Sequence, residues 1–231
     1  MKKIFAIVLS AAALLMGTQA YAQLSVGAGW LNSTETETYN NGDPEKSNLN
    51  GFYAGGQYNI HLVAGLGIAP GLYVSALFGK EAGSQGIVVG TISGEAKYSE
   101  VALNVPVNVN YKFAIGSDFN VIVYAGPIFQ YGLVSSTKGN ANVSIPGLGS
   151  LGTGDVTANN YTGVIKDNSG NSTTSDPNRN PFNIYLGGGA GIQAGNFQVI
   201  IGYDHSLTNI SKVDKTTLGR SQIKIGVGYA F

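Results

Sequence analysis

Cysteine is absent from the 231 residues, which excludes disulfides, thiol catalysis, thiolate metal sites and a lipid anchor on an N-terminal cysteine. Histidine is nearly absent: with only His61 and His205, no set of three or four convergent ligands for zinc is expected. Charged residues make up 11% of the chain and cancel to a formal net charge of zero, so the basic footprint of a nucleic-acid binder is missing. Beyond the N-terminus, no apolar run approaches the eighteen or so residues of a helical membrane span. What the chain does contain is 34 glycines and 13 tyrosines.

Met1-Lys2-Lys3 is a short basic start, Ile4 to Met16 an apolar run of 13 residues, and Ala20-Tyr21-Ala22 a small-x-small site before Gln23. These are the parts of a secretory signal peptide, assigned to residues 1–22. A helix of that apolar length rises about 20 Å and falls short of a bilayer core of roughly 30 Å. The mature chain, 23–231, is expected to be a single domain and slightly acidic once Lys2 and Lys3 are removed.

Its dominant pattern has a period of two. Val101, Leu103, Val105, Val107, Val109, Tyr111 and Phe113 alternate with Ala102, Asn104, Pro106, Asn108, Asn110 and Lys112. After the turn Ala114 to Asp118, Phe119, Val121, Val123, Ala125, Pro127, Phe129, Tyr131 and Leu133 resume the apolar face. One greasy face and one small or polar face mark a strand between lipid and a barrel interior, and about 9–11 tilted residues suffice to cross. Further strands are expected at 23–32, 51–63, 66–79, 180–194 and 197–207, and the last at Gln222 to Phe231. Exposed sheet edges cannot exist in hydrocarbon, so these strands must close. The expected fold is all-β, an antiparallel eight-stranded up-and-down transmembrane barrel.

Connections alternate in length. Those near Ala64-Gly65, at Ala114 to Asp118 and at Gly195-Asn196 are short and belong at the periplasmic rim. Those at 33–50, 80–94, 137–179 and 208–218 are expected to be long extracellular loops. Aromatics sort to the two ends as interfacial girdles. The 137–179 segment folds over the mouth, extends as a hairpin above the membrane, is in part disordered, or enters the wall as a ninth and tenth strand; eight strands are preferred because neither of its halves alternates over nine residues.

No candidate chemistry emerges. Gly147 to Gly152 matches a dinucleotide fingerprint by letters only, with no helix to follow it. Asp204, His205 and Ser206 suggest a triad, but adjacent strand residues point to opposite faces, and no His–Ser hydrogen bond on an inward or rim face is expected. The acidic stretch Glu35, Glu37, Asp43 and Glu45 is assigned to a solvated loop. Inward polar residues should form a structural network in the lumen, with Asp204 paired to Lys224 and Glu100 joining them. No catalytic, cofactor-binding or metal residue is assigned.

Tyr203 to Ile210, followed by Ile223 to Phe231, resembles the ending of the porin-like outer-membrane β-barrel family. Val105 to Phe113 and Tyr124-Ala125-Gly126-Pro127 resemble its central hairpin. The resemblance runs over essentially the whole mature chain and implies a small barrel like the outer-membrane protein A and X types, in the cell outer membrane. Tyr229 and Phe231 on the terminal strand resemble the signal read by the barrel-assembly machinery. The family has no common catalytic residues to carry over, and no cofactor is expected. Expected partners are outer-membrane lipid and that machinery, without nucleic acid; the chain is expected to be a monomer. The expected role is structural, with surface interaction through the extracellular loops. A narrow channel for ions or small solutes is the alternative, and a lipid-modifying enzyme the third reading.

Overall fold

The computed structural model describes residues 22–40, 42–87, 90–116, 118–145 and 149–231. Apart from Ala22, the expected signal peptide lies outside the described residues. The strands are β1 (Ala22–Tyr39), β2 (Glu45–Val63), β3 (Leu66–Ile87), β4 (Gly90–Ala114), β5 (Phe119–Ile145), β6 (Gly149–Asn159), β7 (Val164–Asp167), β8 (Ser172–Thr174), β9 (Phe182–Ala194), β10 (Phe197–Ser206) and β11 (Thr216–Ala230). Every pairing is antiparallel. Eight of them form a ring in the order β1, β2, β3, β4, β5, β9, β10, β11, which closes where Ser25 to Tyr39 lie opposite Ala230 to Thr216.

The side chains alternate across this wall. On β10 Phe197, Val199, Ile201 and Tyr203 face outward, and on β11 Ile223, Ile225, Val227 and Tyr229 do, while Gln198, Asp204 and Gln222 are buried inside. An apolar exterior around a polar interior is stable only where lipid covers the outside. Phe197, Tyr229 and Phe231 stack edge to face at the end nearest the short turns, at centroid distances of 5.3 and 5.0 Å. Trp30, Phe52, Phe78 and Tyr131 are exposed at the other end.

Three of the segments expected to be long loops are built differently. β1 and β2 remain paired out to Glu37 opposite Glu45, and β3 and β4 out to Ile87 opposite Gly90. These are hairpins, because strand pairing beyond the membrane requires backbone hydrogen bonds and β-favouring residues such as the threonines of Ser33 to Tyr39, and no apolar face. The 137–179 segment does not enter the wall; most of it extends as paired strands above the membrane, and only its end at Asn178 and Arg179 reaches over the mouth. β5 runs on for 27 residues and pairs its outer half with β6, to which β7 and β8 add in turn. A sheet of β3, β4, β5, β6, β7 and β8 therefore stands beyond the apolar belt.

Alternation on β5 breaks at Leu133. Ala102 pairs with Gly132 and Val101 with Val134, so Leu133 is the extra residue of a β-bulge. The shift in parity turns Ser135 inward, where it is fully buried.

Inside, tyrosines lie against glycines. A β-carbon at Gly202 or Gly189 would collide with the Tyr124 hydroxyl, and one at Gly226 with that of Tyr53. Glycine at these wall positions provides the space that the rings occupy.

Candidate functional site

The outer part of the lumen holds a buried ionic cluster. Arg220, on the inward face of β11, has a side chain only 1% exposed. Its Nη1 and Nη2 donate to the two carboxylate oxygens of Glu100 on β4, at 2.6 and 2.9 Å, and its Nε donates to Glu35 Oε1 on β1 at 3.0 Å. Arg179, from the connection between β8 and β9, reaches down to grip Glu35 with both nitrogens at 2.7 and 2.8 Å. Two guanidinium groups and two carboxylates thus cancel in charge, and forked Arg–carboxylate geometry fixes each partner.

Around this cluster every neighbour is positioned. The Arg179 guanidinium stacks 4.5 Å above the Tyr98 ring, and Tyr98 donates its hydroxyl hydrogen to Glu100. Ser135, turned in by the bulge, donates to the Tyr98 hydroxyl at 3.2 Å, and Asn160 donates to Ser135 Oγ at 2.9 Å. Leu31, Leu49 and Leu77 pack on one side, with Ile128, Tyr185, Ile210 and Leu218 on another. Above, the Arg179 segment is tied across the mouth: Asn180 N–H donates to Ile210 carbonyl at 2.8 Å and Lys212 N–H to Asn178 carbonyl at 2.9 Å.

Glu35 lies five residues beyond Trp30, about 17 Å further along β1 and outside the membrane-spanning part. Burial pushes its carboxyl up, but Arg220 and Arg179 more than offset this and hold it at about 2.

Below the cluster lies a cavity of ≈ 90 Å³ whose lining includes Tyr53, Tyr73, Tyr124, Asn108, Asp204 and Lys224. Lys224 Nζ is 2.7 Å from Asp204 Oδ2, reaching it diagonally, because Lys224 itself lies opposite Gly202. Asp204 Oδ1 and Asn108 Oδ1 have no hydrogen-bond partner among the described residues. The space is polar and large enough to admit water to these atoms.

Glu100 does not join this pair. It is bound to Arg220, four residues and about 13 Å further along β11 than Lys224. Glu35, expected in a solvated loop, is buried. Arg220 was not assigned any role by the sequence, although it is the next inward position but one after Lys224 on the same strand.

A His–Ser hydrogen bond exists on the outward face, not the inward or rim face considered from the sequence: His205 Nδ1 lies 2.9 Å from Ser221 Oγ. Among the described residues no carboxylate is hydrogen-bonded to His205, so the orienting third member of a triad is missing. No cluster of three or more potential metal ligands occurs among the described residues. Gly149 of the glycine-rich segment opens β6, a strand and not a phosphate-binding helix.

Residues 17–212 match the family described as outer membrane protein beta-barrel domain. Among solved structures, the attachment invasion locus protein Ail of Yersinia pestis is similar at 17% identity, with 91% of this chain and 99% of that chain covered and a TM-score of 0.34. Neisserial surface protein A shares 15% identity over 90% of this chain and 97% of its own, with a TM-score of 0.39. The N-terminal barrel of Pseudomonas aeruginosa OprF shares 15% over 88% and 97%, with a TM-score of 0.30. No curated protein sequence matches. With the family match covering most of the chain and the strands closing into an eight-membered ring with an apolar exterior, the protein belongs to the outer-membrane β-barrel domain family and resides in the cell outer membrane.

Proposed function

We propose that this protein is a non-conducting barrel whose working part is the strand-built surface outside the membrane. The observation that carries the reading is the Arg220 cluster, which sets paired, buried charges and packed leucines across the outer part of the lumen, above a cavity of ≈ 90 Å³. Investment in strand outside the lipid points the same way: β4 and β5 run for 25 and 27 residues, more than twice what a crossing needs. The lumen pair Asp204–Lys224 and the Glu100–Arg220 pair are then structural, holding the wall from inside.

In this reading the chain is exported by residues 1–22 and inserted by the assembly machinery through its last strand, where Tyr229 and Phe231 face outward at the periplasmic belt. It has no catalytic role and works as a monomer. Planar bilayers containing the purified full chain test the reading. Silent membranes are expected; stable unitary conductance steps that survive purification would replace it with the narrow-channel alternative.

A further inference from the structure

On the outward face of the exterior sheet, Lys80 of β3 is directly opposite Lys97 of β4, and Lys97 is directly opposite Lys138 of β5. The row continues through Thr157 of β6 to Lys166 of β7. Directly paired residues on antiparallel strands share a face, and like charges so placed repel. One carboxylate relieves this in part: Glu95 lies 2.7 Å from Lys80 Nζ and 2.9 Å from Lys97 Nζ, with both lysines still mostly exposed. Among the described residues no carboxylate pairs with Lys138 or Lys166. The row therefore retains uncompensated positive charge.

Its height is set by the apolar belt. Lys80 is the first outward position after Phe78, while Lys97 and Lys138 follow Val101 and Val134 after one serine each, Ser99 and Ser136. The same outward face that meets hydrocarbon below thus presents ammonium groups roughly 7–13 Å further along the strands, at the level where lipid headgroups begin.

We propose that Lys80, Lys97 and Lys138, extended by Lys166, form a binding site for the phosphate groups of glycolipid headgroups in the outer leaflet. Lysine is a compact, flexible point charge suited to phosphate, and clustered lysines beside a membrane span gain affinity from anionic headgroups. A lipid is favoured over a soluble polyanion because the row sits against the belt on the lateral face of the barrel. A macromolecule in the medium would approach from above. Glu95 spaces two of the ammonium groups and weakens the field.

The test uses the detergent-purified full chain titrated with lipid A carrying both phosphates, with dephosphorylated lipid A, and with dextran sulfate. Lys80→Gln/Lys97→Gln/Lys138→Gln should bind bisphosphorylated lipid A roughly 100-fold more weakly than the unaltered chain. Glu95→Gln should bind about five-fold more tightly, and Lys212→Gln/Lys215→Gln, on the connection between β10 and β11, should be unchanged. Heat-modifiable gel migration checks that each variant is a folded barrel. Equal binding by the triple variant, or equal binding of dephosphorylated lipid A, would overturn the proposal. So would a lysine dependence seen with dextran sulfate alone, which would make the row a site for soluble polyanions.

Discussion

Arg220 is the residue on which the interior depends most. Its guanidinium serves Glu35 and Glu100 together, and Glu35 has Arg179 as a second partner, so removing Arg220 leaves Glu100 as the stranded charge. Arg220→Met should cost about 3–5 kcal/mol, the usual penalty for an uncompensated buried ion. Urea unfolding in lipid vesicles, followed by Trp30 fluorescence, measures it; a change below 1 kcal/mol would mean that the cluster is more hydrated than its burial indicates. The same cluster sets an acid limit. Glu35 titrates near 2 in the folded barrel against an ordinary 4.5, so its folded value is the lower one. Its contribution is complete above pH 4.5 and is lost as pH falls from 4.5 towards 2. The unfolding free energy should fall across that window by an amount on the order of 3 kcal/mol for this group, lowering the urea midpoint with it, and a flat profile between pH 5 and 2 would contradict the assignment.

At the scale of elements, the membrane-crossing parts of the wall were legible because lipid on one side and a narrow lumen on the other force a two-residue period. Val101 to Phe113 and Phe119 to Tyr131 carry it without interruption. Beyond the belt the contrast disappears, since water meets both faces of a strand such as Thr34-Glu35-Thr36-Glu37, and hairpins there resemble solvated loops by composition. Extending the inward parity of each strand past its last apolar residue was the available signal: Leu31, Ser33 and Glu35 follow one another on β1, and Lys224, Gln222 and Arg220 on β11. Two members of the closing layer had no such signal. Ser135 faces inward only because of the bulge at Leu133, and Arg179 belongs to no wall strand, being placed by the bonds of its connection to Ile210 and Ser211.

For the whole molecule, the two halves have opposite physical requirements. The crossing part must be apolar outside and satisfied inside, which the Tyr–Gly packing and the Asp204–Lys224 pair achieve. The exterior sheet is free of both demands, and variation there leaves the anchor intact. The central claim is that the lumen is sealed from the outside and that the exposed sheet faces the medium. The natural absence of cysteine makes this directly measurable, because any introduced thiol is the only one. Asn108→Cys would place a thiol on the lining of the lumen cavity, and Thr173→Cys would place one on exposed β8. Intact cells expressing each variant are treated with a membrane-impermeant maleimide. The account predicts prompt labelling at position 173 and none at position 108 until the barrel is unfolded; labelling of both at similar rates would show an open lumen and contradict it.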